Sequence, residues 1–145
     1  MPTLTISNST SKSYSRIHTI CISNDFSTAT SFTGTNATAG ASGSRLEVTD
    51  SGSGGGYASR SFITVIKTTY NYSISYVDGT AGHLKIGTSA DDGTHVNTAV
   101  SISDPGYGII TGSFIATSET THITLKITRS GGTFKWDNLL ISENN

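Results

Sequence analysis

Tyr70, Tyr72, Ile74 and Tyr76 take every second position of one short stretch, and Asn71, Ser73 and Ser75 fill the positions between them. A two-residue period puts the apolar groups on one side of an extended chain and the polar groups on the other. The pattern recurs where Ile123, Leu125 and Ile127 alternate with Thr124, Lys126 and Thr128. Leu46 with Val48, Phe62 near Val65, Leu84 with Ile86 and Phe114 with Ala116 supply further inward candidates. No window carries a 3.6-residue apolar stripe, and β-branched and aromatic residues dominate the alternating ones, so the chain is predicted to be all-β.

Turn-rich breaks separate these stretches at Asp50 to Gly56, Asp78 to Gly82, Ala90 to Gly93, Asp104 to Gly108 and Ser130 to Gly132. Their spacing suits a sandwich or barrel, and connections this short imply antiparallel pairing. The run Gly54-Gly55-Gly56 lacks the lysine and following helix of a phosphate loop and reads as a flexible turn.

At 145 residues the chain has the length of one domain. We expect a jelly-roll sandwich over 20–145, preceded by a polar segment over 1–19 with Leu4, Ile6 and Tyr14 as its anchors. That segment can add an edge strand, reach a neighbouring subunit or stay disordered.

Only 13% of the residues are charged, and Ser and Thr fill about a third of the chain instead. A formal net charge of −1 gives no field to gather phosphates, which argues against nucleic-acid or anionic-membrane partners. No basic stretch followed by an apolar one opens the chain, so no signal peptide or membrane anchor is expected, and the product should stay in the cytoplasm where it is made. The single cysteine, Cys21 between Ile20 and Ile22, reads as a small core residue.

Parity breaks once near the end of the chain. Phe134 and Trp136 share one face, whereas Leu139 and Ile141 have the opposite parity. A β-bulge at Asp137-Asn138 would restore the register and re-aim the Asp137 carboxylate toward the interior or a loop. It would also leave Leu140 outside the core, as an oligomer contact together with Leu4 and Ile6.

The ending Gly132-Thr133-Phe134-Lys135-Trp136-Asp137-Asn138-Leu139-Leu140-Ile141 resembles the last strand of carbohydrate-binding-module jelly rolls of the galactose-binding-like type. Asn24-Asp25-Phe26 resembles the opening strand of that family, Gly43 to Val48 its second strand, Tyr57 to Phe62 its third, and Thr69 to Ile74 the one that follows. Phe114 to Ser118 resembles the late strand leading into Ile123-Thr124-Leu125, so the match spans about Ile20 to Ser142. The resemblance implies a structural calcium held by Asp137 with Asp25, Asn24 and the Asp50 loop, oxygen donors of the kind that ion takes. Ser27, where the family often has an acidic residue, removes one strong ligand, and backbone amides at the bulge could cap Asp137 instead.

Sugar-binding members present aromatic rings to pyranose faces. Tyr57 and Tyr107, both on turn edges, are the candidates, with Asp104, Asn97, His95 and Arg60 as further polar contacts; Trp136 and Phe32 read as core. His18, His83, His95 and His122 show no metal-ligand spacing, and no nucleophile motif is present. Asp91-Asp92 falls in a turn, so no enzyme is expected.

Similar domains occur in bacteriophage tail and capsid-surface proteins. With no export signal or attached enzyme, the first expectation is a virion surface protein, decorating a capsid or associated with a tail. It would self-associate as a trimer or other ring, contact other virion proteins and reside in the virion. The alternative is a free carbohydrate-binding module for a cell-surface or other polysaccharide.

Overall fold

The computed structural model describes residues 20–24, 26, 31–79, 81–101 and 107–144. The segment expected as an arm over 1–19, with Leu4 and Ile6, and the residues Asp25 and Asp104 lie outside it. Among the described residues, eleven strands run in chain order as β1 (Ile20–Asn24), β2 (Thr33–Thr35), β3 (Ala37–Ala41), β4 (Leu46–Asp50), β5 (Tyr57–Ile63) and β6 (Thr69–Gly79), then β7 (Ala81–Gly87), β8 (Val96–Ser101), β9 (Gly108–Ile115), β10 (Thr120–Ile127) and β11 (Thr133–Glu143).

They form two antiparallel sheets. One has the order β3-β4-β11-β6-β9, with β1 pairing β11 beyond the end of β4; the other has the order β2-β5-β10-β7-β8. Only β3 with β4 and β7 with β8 pair as sequence neighbours; the other short connections pass between the sheets. The β3-β4 hairpin turns through Gly43 and Ser44, both at positive φ, as a tight turn matched to strand twist requires.

The inward faces of both sheets make one core. Ile74, Leu84, Ile86, Ile123, Leu125, Ile127, Phe134 and Trp136 are all fully buried, as the alternation predicts. Phe134 and Trp136 pack with ring centroids 4.7 Å apart, and Phe26 meets Phe32 edge-on. Cys21 is half-buried against this core, and burial pushes its thiol above the ordinary range. Val65, grouped with Phe62 by sequence, is instead 61% exposed, because it lies past the end of β5 in the loop to β6.

The break in parity is a bulge. The β11-β6 register shifts between Asp137 and Leu140, Asn138 adopts φ +48°, and Leu139 and Ile141 return to the core. Leu140 is left 40% exposed on the outer face, where Ser23 and Ser73 flank it.

The glycine run is a cage, not a flexible turn. Asp50 is buried, and its Oδ2 accepts the N–H groups of Gly52, Gly54 and Gly131 while Oδ1 accepts that of Gly56 at 2.9 Å. Gly52, Gly54 and Gly55 hold positive φ, and a Cβ at Gly56 would collide with Asn36 O, so side chains are excluded where the chain wraps the carboxylate. The Gly131 amide, then those of the loop, outweigh burial and hold this carboxyl below its usual range.

Candidate functional site

The outer face of the five-stranded sheet carries the densest set of interlocked polar side chains among the described residues. Register places Tyr57 opposite Lys126, and Lys126 opposite His83, in one row across β5, β10 and β7. The next rows bring Ser59, Thr124 and Lys85, then Ser61 and His122, to the same surface.

What organises this face is the connection between β7 and β8. Asp92 folds it into a compact turn: its carboxylate accepts N–H groups from Thr88 and Thr94 and the hydroxyls of both. The Thr94 hydroxyl and the Thr88 amide hold the carboxyl down at about 2. The turn presses on Gly87, where a Cβ would collide with the Asp92 carboxylate.

Asp91, at φ +59°, is thereby laid back over the sheet. Its N–H donates to Thr124 Oγ1 at 2.9 Å, which explains why Thr124 is buried although it points away from the core. Its two carboxylate oxygens take Lys85 Nζ at 2.8 Å and Lys126 Nζ at 2.6 Å. Burial pushes the Asp91 carboxyl up, but the two ammonium groups outweigh it and leave it below the ordinary range.

Lys126 Nζ also stands 5.9 Å over the Tyr57 ring, so the half-buried tyrosine is fixed from one side. Burial, then the Lys85 charge, lowers the His83 pKa, and Asn97 hydrogen-bonds the ring. The imidazole is therefore neutral near pH 7. Beside this group a shallow depression of about 320 Å³ is lined by Thr33, Ser59, Arg60, Ser61, Ala90 and His122. One ring and several fixed donors and acceptors beside a hydroxyl-lined hollow suit a neutral, polyhydroxylated ligand.

The residues singled out by sequence divide between surfaces. Tyr57 and Asn97 belong to this face, whereas Arg60 borders the hollow from the opposite parity, paired with the core residue Ile123. Tyr107, 83% exposed, stands just before β9 in the other sheet, and among the described residues no ring contact joins it to Tyr57. His95 stacks on Phe114 with centroids 5.6 Å apart. The Asp91-Asp92 pair is spent on Lys85, Lys126 and the turn. Lys85, Lys126, His83 and Asp91 were missed as a group, although Lys126 and Lys85 do occupy outward positions of strongly alternating strands.

Asp25, one of the residues the resemblance assigns to calcium, lies outside the described residues; Asp137 and Asn24 lie within them. Asp137 lies half-buried on the outer side of β11, not toward the interior; it accepts the Asn138 N–H at 2.7 Å and faces Arg45 Nε at 3.9 Å. Asn24 Oδ1 accepts the Phe26 N–H at 2.7 Å. Among the described residues, no three His, Cys, Asp or Glu side chains gather where they could hold an ion.

No family model matches the chain, and no curated protein matches its sequence. Solved structures do. A xylan-binding family 22 module from Paenibacillus barcinonensis Xyn10C superposes with TM-score 0.63 at 12% identity, covering 87% of this chain and 95% of that one. A family 4 carbohydrate-binding module gives 0.59 at 14% identity over 78% of each chain. An aspartate-to-alanine variant of a family 29 module complexed with mannohexaose gives 0.56 at 12% identity over 88% of this chain and 93% of that one. This chain has the antiparallel jelly-roll sandwich fold of carbohydrate-binding modules.

Proposed function

We propose that this domain is a non-catalytic module that binds a neutral polysaccharide on the outer face of its five-stranded sheet. The observation that carries this reading is the fixed row Tyr57, Lys126, Asp91 and Lys85 beside a hydroxyl-lined hollow, in a fold shared with glycan-binding modules. A sugar ring can lay its C–H groups on the tyrosine while its hydroxyls bond to side chains already held in place, so little ordering entropy is lost on binding. A near-neutral chain suits an uncharged ligand.

Titration calorimetry against soluble xylan, β-glucan and mannan tests it. Binding to at least one, weakened about tenfold by Tyr57→Ala, is expected. Silence across all of them, or binding indifferent to both Tyr57→Ala and Lys126→Ala, overturns the assignment. The virion-surface role is the competing proposal, and it rests on the sequence alone.

A further inference from the structure

Among the described residues, strand β9 is the edge of the six-stranded sheet, with β6 on one side only. Edge strands are commonly protected by charge, proline, a bulge or shortness. This one has none of these devices: it is eight residues long, its register with β6 runs unbroken from Tyr76/Gly108 to Thr69/Ile115, and no charged residue occurs from 105 to 118. On its outer face Ile109 is 65% and Ile115 58% exposed.

The phase of the ladder identifies the free backbone groups. Ala116 N–H donates to Thr68 O at 3.0 Å, in line with the register that pairs Phe114 with Tyr70 and Gly112 with Tyr72. Antiparallel pairs alternate between bonded and non-bonded, so residues 110, 112 and 114 turn their N–H and C=O toward β6. Ile109, Thr111, Ser113 and Ile115 turn theirs away from the sheet.

We propose that β9 pairs antiparallel with β9 of a second copy of this chain, with Gly112 on the two-fold axis. In that register Ile109 faces the second copy's Ile115, Thr111 faces its Ser113, and each relation is repeated by symmetry. The four residues with outward backbone groups are the four brought opposite one another, so each exchanges both its bonds. The two exposed isoleucines cover one another, and with both strands uncharged nothing repels. The six-stranded sheets become one continuous sheet across the dimer. The occupant is a second copy because this register satisfies the edge and both isoleucines with the strand's own sequence.

Sedimentation of the full chain from micromolar to millimolar concentration, with amide hydrogen exchange at both ends of the range, tests it. A dimer is expected whose formation slows exchange at Ile109, Thr111, Ser113 and Ile115. Ile109→Lys with Ile115→Lys sets like charges opposite and should weaken dimerisation about tenfold or more; Ile109→Lys with Ile115→Glu sets opposite charges face to face and should restore it. Both sites are exposed, and the melting temperature reports any folding defect. A chain that stays monomeric with these four amides exchanging freely overturns the proposal. So does a dimer protected elsewhere, such as around Leu140, or protection of β9 that is independent of concentration, which would mark residues 1–19 or another segment as the occupant.

Discussion

Gly131 N–H donates to Asp50 Oδ2 at 2.9 Å, joining the turn between β10 and β11 to the loop between β4 and β5 across 81 positions of sequence. With Gly52, Gly54 and Gly56 it makes a single carboxylate the organiser of one end of the sandwich. Asp50→Ala leaves those buried amides unpaired and should lower the melting temperature by about 5 °C or more. Gly56→Ala should do as much, since its Cβ would meet both Asn36 O and the Asp50 carboxylate. Thermal unfolding followed by Trp136 fluorescence reads both, because it is the only tryptophan. An unchanged midpoint in Asp50→Ala means the cage contributes nothing.

The same carboxylates set the acid limit. Asp50 and Asp92 bind protons less readily folded than unfolded, so their contribution is complete above the unfolded value near pH 4 and is lost as pH falls through the lower folded values, about 2 for Asp92. Stability should therefore decline between about pH 4 and pH 2 and less steeply in Asp50→Asn. Denaturant melts across that range check the slope; equal slopes for the two proteins contradict it.

At the bulge, Asn138 holds φ +48°, a conformation glycine adopts freely and a β-branched side chain resists. Asn138→Gly should stay within about 0.5 kcal/mol of the parent, whereas Asn138→Val should cost roughly 1–2 kcal/mol. Chemical denaturation ranks them. If valine is tolerated as well as glycine, the strand can cross this point without the left-handed residue.

How much of this could be read beforehand depended on whether partners lie along the strand or across the fold. Ile123, Leu125 and Ile127 declared their burial by period alone, and the parity conflict between Trp136 and Leu139 located the bulge, because both signals are local. The cage around Asp50 was illegible: its donors are backbone amides, which carry no side-chain identity, and one of them is Gly131. Parity puts Thr124 on the side away from the core but cannot report that Asp91 folds back over it. Tyr57 was found as a surface ring by its place after the glycines, but its separation from Tyr107 follows from the strand order, which no local pattern encodes.

The clamp of Lys85 and Lys126 on Asp91 should matter more to the ligand than to the fold. All three side chains keep partial contact with solvent, so the ion pairs contribute about 1 kcal/mol or less each, and Asp91→Asn should move the melting temperature by only a few degrees. Its loss nevertheless frees both ammonium groups and the connection that Asp91 pins to Thr124, so the surface is no longer held ready. Polysaccharide binding should then weaken about tenfold in Asp91→Asn while folding is nearly unchanged. Because the two lysines hold this carboxyl below its ordinary range, the difference in affinity between parent and Asp91→Asn should persist as pH falls from 7 to about 4 and shrink only below that. Titrations of both proteins at matched pH decide the point: equal affinity would mean that the clamp only braces the turn.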